Sequence, residues 1–123
     1  MSSLQIGKAI YAILARNNIN KVFPLVADEG TTFPFVVYKR SGLEPSDTKD
    51  RYNFSELATL DIIVAANTYE ESISLAERIK DILEHSRGAY NGINIGGITL
   101  DDADEDYLED TFIQKLTFKI EIK

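Results

Sequence analysis

Tyr90–Lys123 reads YNGINIGGITLDDADEDYLEDTFIQKLTFKIEIK, and the way this stretch divides into strands and turns decides the fold. Asn91-Gly92 is the strongest two-residue hairpin signal available, because both central residues of a type I′ turn need positive φ. Strands are therefore expected on both sides of it. Ile93 and Ile95 share one parity and Ile98 and Leu100 the other, which a bulge at Gly96-Gly97 reconciles. From Phe112 to Lys123 the alternation is clean, with Leu116, Phe118, Ile120 and Ile122 inward and Lys115, Thr117, Lys119, Glu121 and Lys123 outward. Between these strands lies DDADEDYLED, Asp101 to Asp110, which carries seven carboxylates and no basic residue. Its composition reads as a solvated loop.

Upstream, apolar residues recur at helical spacing from Leu4 to Arg16 (Leu4, Ile6, Ala9, Ile10, Ile13, Leu14), with Ser2 or Ser3 placed to cap the first turn. Lys21–Ala27 reads as a short strand that Pro24 confines to a sheet edge or a bulge. Phe33–Arg40 is rich in β-branched and aromatic residues and reads as a second strand. Ser41–Asn53 concentrates Gly, Pro, Ser, Asp and Asn, the composition of a long loop. A third strand follows from Phe54 to Ala66, in which Leu60, Ile62, Val64 and Ala66 take one face and Thr59, Asp61, Ile63 and Ala65 the other. Thr68 through Glu71 fit a capping box that opens a helix running to about His85. That helix is expected to bury Ile73, Ala76, Ile79, Ile82 and Leu83 and to end in a glycine cap near Gly88. These elements predict an α+β domain spanning 1–123: a mostly antiparallel sheet of about five strands with two helices packed on one face.

The chain has 123 residues, 44% of them hydrophobic and 27% charged, a composition that folds without metals or disulfides. The absence of cysteine excludes disulfides, thiolate metal sites and a cysteine nucleophile. No secretory signal or membrane-spanning apolar run is legible, so the chain is expected to be soluble and unprocessed. Its net charge of −7 resides in the acidic stretch, since the rest balances 13 acidic against 13 basic residues. A neutral remainder lacks the basic footprint by which proteins grip phosphate backbones, so no specific nucleic-acid binding is expected.

Asp102, Asp104 and Asp106 imitate the start of an EF-hand loop. The remainder fails, with Tyr107 where a glycine must turn and Ile113 where a bidentate glutamate must sit. No metal is expected there. Paired carboxylates for acid/base work need environments that separate their pKa values, and these acids crowd together in solvent. The lone His85 sits where a helix ends, a place for an imidazole that satisfies free carbonyls. No phosphate-binding glycine motif is present, and Phe33, Phe35, Phe112 and Phe118 fall at strand spacing, as core residues do. The chain therefore reads as non-enzymatic, with no catalytic residue and no cofactor. What remains is interaction surface: Asp47, Lys49 and Arg51 in the long loop; Asp101, Asp102, Asp104, Glu105, Asp106, Glu109 and Asp110 in the acidic stretch; and the outward row Lys115, Lys119 and Lys123. Opposite charges on one small domain suit head-to-tail association that closes into a ring.

The helix SLQIGKAIYAIL, the strand pair KVFPLVADEGTTFPFVVYKR, the helix TYEESISLAERIKDIL, the turn YNGI and the acidic passage before a long final strand together resemble the tail-completion, or tail-to-head joining, proteins of long-tailed bacteriophages and prophages. The resemblance spans nearly the whole chain and rests on folding elements rather than on one motif. It implies a structural virion protein that forms a ring, by analogy a hexamer, at the head-proximal end of the tail and helps join tail to head. Tail-tube and head-tail connector proteins would be its partners, and it would reside in the virion after assembly in the host cytoplasm. It also implies that Ser41–Asn53 and Asp101–Asp110 lie among the contacts, and that no catalytic residue is inherited. An acidic channel lining that repels DNA fits the same picture. The other reading is a soluble protein-binding module that recognises a basic partner through the acidic stretch and has no virion role.

Overall fold

The computed structural model describes residues 3–45 and 56–123. The described residues form two helices, α1 (Ile6–Arg16, entered through a 3-10 turn at Ser3–Gln5) and α2 (Tyr69–Glu84). Six strands among the same residues accompany them: β1 (Val22–Pro24), β2 (Phe35–Pro45), β3 (Glu56–Ala66), β4 (Gly88–Tyr90), β5 (Ile93–Leu108) and β6 (Thr111–Ile122). They make one sheet in the order β1-β2-β3-β6-β5-β4. β1 runs parallel to β2, and the other neighbours are antiparallel. The architecture is α+β, as the residue pattern implies, but the sheet is mixed and has six strands where a mostly antiparallel sheet of about five was expected. The connection from β1 to β2, residues 25–34, is longer than a hairpin turn and lets the chain return so that the two strands run parallel. β4 is three residues long and leaves little periodic signal.

One face of the sheet carries the core. Leu60, Ile62 and Val64 of β3 and Leu116, Phe118 and Ile120 of β6 are at most 5% exposed, as the alternation requires. Over them pack Ile6, Ala9, Ile10, Ile13 and Leu14 of α1 and Ala76, Ile79 and Leu83 of α2. Burying each large aliphatic or aromatic side chain of this kind stabilises the fold by about 1.5–3 kcal/mol. The buried stripe of α2 is turned slightly from the expected one: Ser72 is fully buried, whereas Ile73 and Ile82 are half-buried.

Local chemistry sets the ends. Glu71 N–H donates to the Thr68 hydroxyl and opens α2. The helix ends at His85, before Gly88, whose φ of 105° belongs instead to the entry into β4. Asn91 and Gly92 both take positive φ in the β4–β5 turn, and the β5–β6 register slips between Ile95 and Gly97, placing the bulge at Gly96. α1 starts at Gln5 with no side-chain cap, and Ser3 Oγ instead donates to Glu56 of β3. Ser2 lies outside the described residues.

Two expected loops are strand where they are described. Ser41–Pro45 continues β2, paired with β3 from Gly42↔Thr59 to Pro45↔Glu56 beyond a bulge at Ser41. The remainder of that loop, with Asp47, Lys49 and Arg51, and the Phe54 start of the third strand lie outside the described residues. The acidic stretch through Leu108 is the distal half of β5, paired with β6 as far as Leu108↔Thr111. Glu109 and Asp110 close this second hairpin with φ of 50° and 60°. Among the described residues no helix is long and apolar enough to cross a membrane.

Candidate interaction surfaces

Beyond Ile95, β5 has β6 on one side and, among the described residues, no strand on the other, so its acidic half is an edge of the sheet. In an antiparallel strand, alternate residues direct their amides to the same side. The amides of Ala103, Glu105 and Tyr107 donate to the Oδ1 atoms of Asp102, Asp104 and Asp106 at 2.9, 2.8 and 2.8 Å. These are the amides that turn away from β6. The aspartates thus saturate donors that would otherwise offer a template to another strand.

The same aspartates occupy the sheet face away from the helices, where Asp104 stands opposite Lys115 and Asp102 opposite Thr117. Lys115 Nζ lies 4.0 Å from Asp61 Oδ2, and Thr117 Oγ1 donates to Asp61 Oδ1 at 2.9 Å. Lys119 Nζ donates to Thr59 Oγ1 at 3.0 Å. The stem of Lys123 covers Gly96, where a Cβ would approach its Cε to 2.8 Å. The lysine row therefore neighbours the acidic strand within one sheet face, and the positive charge of Lys115 is partly answered inside the chain.

Glu105 points the other way, toward α2. Its Oε2 accepts from Tyr69 Oη and from Gln114 Nε2, each at 3.0 Å, and Gln114 also donates to Ser72 Oγ at 3.3 Å. Phe112 packs between the rings of Tyr69 and Tyr107. The Glu105 carboxylate holds the Tyr69 phenol above its ordinary range, because the neutral hydroxyl is the hydrogen-bond donor. This network pins the acidic hairpin to the start of α2. Sequence reasoning missed it, although Gln114 at an inward position of β6 was a signal that a polar partner must face it.

At the hairpin tip, Tyr107 and Leu108 are 55% and 58% exposed amid Asp106, Glu109 and Asp110. Tyr107 Oη donates to Asp110 at 3.1 Å and stiffens the turn. His85 Nδ1 lies 2.7 Å from the Asp81 carbonyl at the end of α2, the helix-terminal role expected of it. Among the described residues no cluster of His, Asp or Glu is arranged to hold a metal ion.

A second surface went unread in the sequence. A groove of about 330 Å³ runs between the start of α1 and the β1–β2 edge. Leu4, Pro24, Leu25 and Tyr38 line it, with Lys8, Lys39 and Arg40 also along it. It continues past Lys8 and Tyr38 to Tyr11. Leu25 and the adjoining Val26 are 71% and 73% exposed. Burial raises the Tyr38 phenol above its ordinary range. Among the described residues no carboxylate lines either part of the groove.

No protein-family model and no curated protein matches this sequence. The fold does match. A chain in a structure described as the virion of a native gene transfer agent particle superposes with a TM-score of 0.68 at 15% sequence identity, covering 98% of each chain. The likeness extends over the whole arrangement of helices and strands and establishes a shared fold.

Proposed function

We propose that this chain is a structural protein of a phage or phage-like virion, a tail component that forms a ring at the head-proximal end of the tail and helps join tail to head. The observation that carries the reading is the full-length likeness of its fold to a chain of a gene transfer agent virion. The resemblance of its helices, turn and acidic passage to tail-completion proteins is what supports the proposed position within the particle. In this reading the chain acts by shape and surface charge, with no covalent step and no cofactor. Its partners are further copies of itself, tail-tube proteins and head-tail connector proteins, and it resides in the tail.

The surfaces support an assembly role. A stiffened acidic hairpin at one edge and an apolar groove at the other are features that a free-standing domain does not require for its core. If the face bearing Asp102, Asp104 and Asp106 lined the passage of such a ring, it would repel a phosphate backbone and let DNA pass without sticking. The test is electron microscopy of particles made without this gene. Headless tails of abnormal length, or heads and tails that fail to join, are the expected result; normal infectious particles would refute the proposal.

A further inference from the structure

We infer that the tip of the β5–β6 hairpin of one copy seats in the α1/β1–β2 groove of the next, so that Leu108 enters beside Leu25 and the carboxylates of Asp106 and Glu109 meet Lys8 and Lys39. The inference deepens the ring proposal and rests on it. Three observations carry it. The tip offers exposed apolar side chains inside an acidic collar, and the groove offers exposed apolar lining with bases and, among the described residues, no acid. Chemistry and charge are therefore complementary between the two surfaces and self-repelling within each. The two surfaces also lie at opposite edges of the sheet. β1 and β5 stand four strand intervals apart, roughly 19 Å at the usual spacing. One copy can engage a neighbour with each edge at the same time, the heterologous arrangement that generates rings. Finally, the tip is held rigid before contact, by Tyr107 on Asp110 and by Glu105 on Tyr69 and Gln114, so little ordering remains to be done on docking. Lys115 and Lys119 are less suited to receive the tip, because each already faces a partner of its own chain.

The chain has no cysteine, which makes cross-linking clean. Leu25→Cys and Leu108→Cys chains, distinguishable by mass, are mixed at high concentration and treated with a short bismaleimide. The double variant is also incorporated into particles and treated there. The expected products are Leu25→Cys to Leu108→Cys heterodimers in solution or a ladder of covalent oligomers in particles. Lys8→Glu with Lys39→Glu should lower the yield about tenfold, and Asp106→Lys with Glu109→Lys should restore it. Cross-linking of Leu108→Cys to itself, equal yield with a Glu77→Cys control on the far side of α2, or no product in either setting overturns the docking. An unlinked chain that is nonetheless present in particles leaves the virion reading standing and removes only this contact. A chain absent from particles removes the virion reading, and the solution yield then decides the contact by itself.

Discussion

Replacing Asp102, Asp104 and Asp106 together, once by asparagine and once by alanine, separates what their charge does from what their oxygens do. Both triple variants remove three negative charges and take the net charge from −7 to −4, so any electrostatic consequence is common to the two. Only the asparagine variant keeps a side-chain oxygen within reach of the amides of Ala103, Glu105 and Tyr107. A net hydrogen bond contributes about 0.5–1.5 kcal/mol, and at an open edge water recovers part of each. The alanine variant should therefore be less stable than the asparagine variant by about 1–2 kcal/mol, a fall in Tm of roughly 5 °C. Its larger defect is exposure. Three donors in register along an uncovered edge form a template for strand addition. Sedimentation velocity should show concentration-dependent association of the alanine variant beyond that of both the parent and the asparagine variant, with the asparagine variant no more associated than the parent. Hydrogen exchange should be faster at those three amides in the alanine variant alone. Equal association of both variants would assign the protection to charge and refute the hydrogen-bond argument.

Three further outcomes are expected. Phe118→Ala removes a fully buried ring from the centre of the sheet and should cost about 3–5 kcal/mol in denaturant unfolding. Thr68→Ala leaves the Glu71 amide without its cap and should cost about 1 kcal/mol, most of it recovered by Thr68→Ser. The Lys80 hydrogen bond, 2.8 Å long, holds the Glu84 carboxyl below its ordinary range. Its contribution to stability is thus present above the unfolded-state carboxylate pKa and lost as pH falls through the depressed folded value. Titration of Glu84 by NMR should show that value rising in Lys80→Gln, and an unchanged midpoint would remove the bridge from the account.

The elements legible in the sequence are those where burial and turn chemistry agree. β3 and β6 alternate because one face meets the helices, Thr68 caps α2, Asn91-Gly92 supplies the turn, and Gly96 absorbs the parity change. The distal half of β5 reads as loop in the sequence because aspartate disfavours strands, and with every residue from Asp101 to Asp110 exposed no buried apolar face marks it as strand. Its strand character comes from β6, whose own register on β3 extends as far as Ala66↔Phe112 and leaves β5 a partner to follow. The turn at Glu109-Asp110 carries no glycine to announce it. A period of two was nonetheless present, with Asp102, Asp104 and Asp106 outward and Ala103, Glu105 and Tyr107 inward. The candidate acids were found by composition, but their division between an outer face and a network with Tyr69 and Gln114 needed the fold. The groove needed it more, since Leu4, Pro24, Leu25 and Tyr38 are brought together only by tertiary packing.

The two edges of the sheet constrain how copies of this chain can meet. At one, β1 is three residues long and ends in Pro24, which has no amide to donate, and beyond it Arg40 of β2 is engaged with the Leu4 carbonyl. At the other, β4 is likewise only three residues long, and beyond it aspartate oxygens occupy the outward amides of β5. Continuation of the sheet from one copy into the next would have to displace these groups at both edges. Side-chain docking displaces none of them, since Leu108 lies past the last of the three capped amides and the groove opens beside β1 rather than along its backbone. Blocked edges and a projecting tip therefore work together. The blocked edges suppress open-ended strand pairing, and the tip directs each copy to a contact whose geometry allows closure.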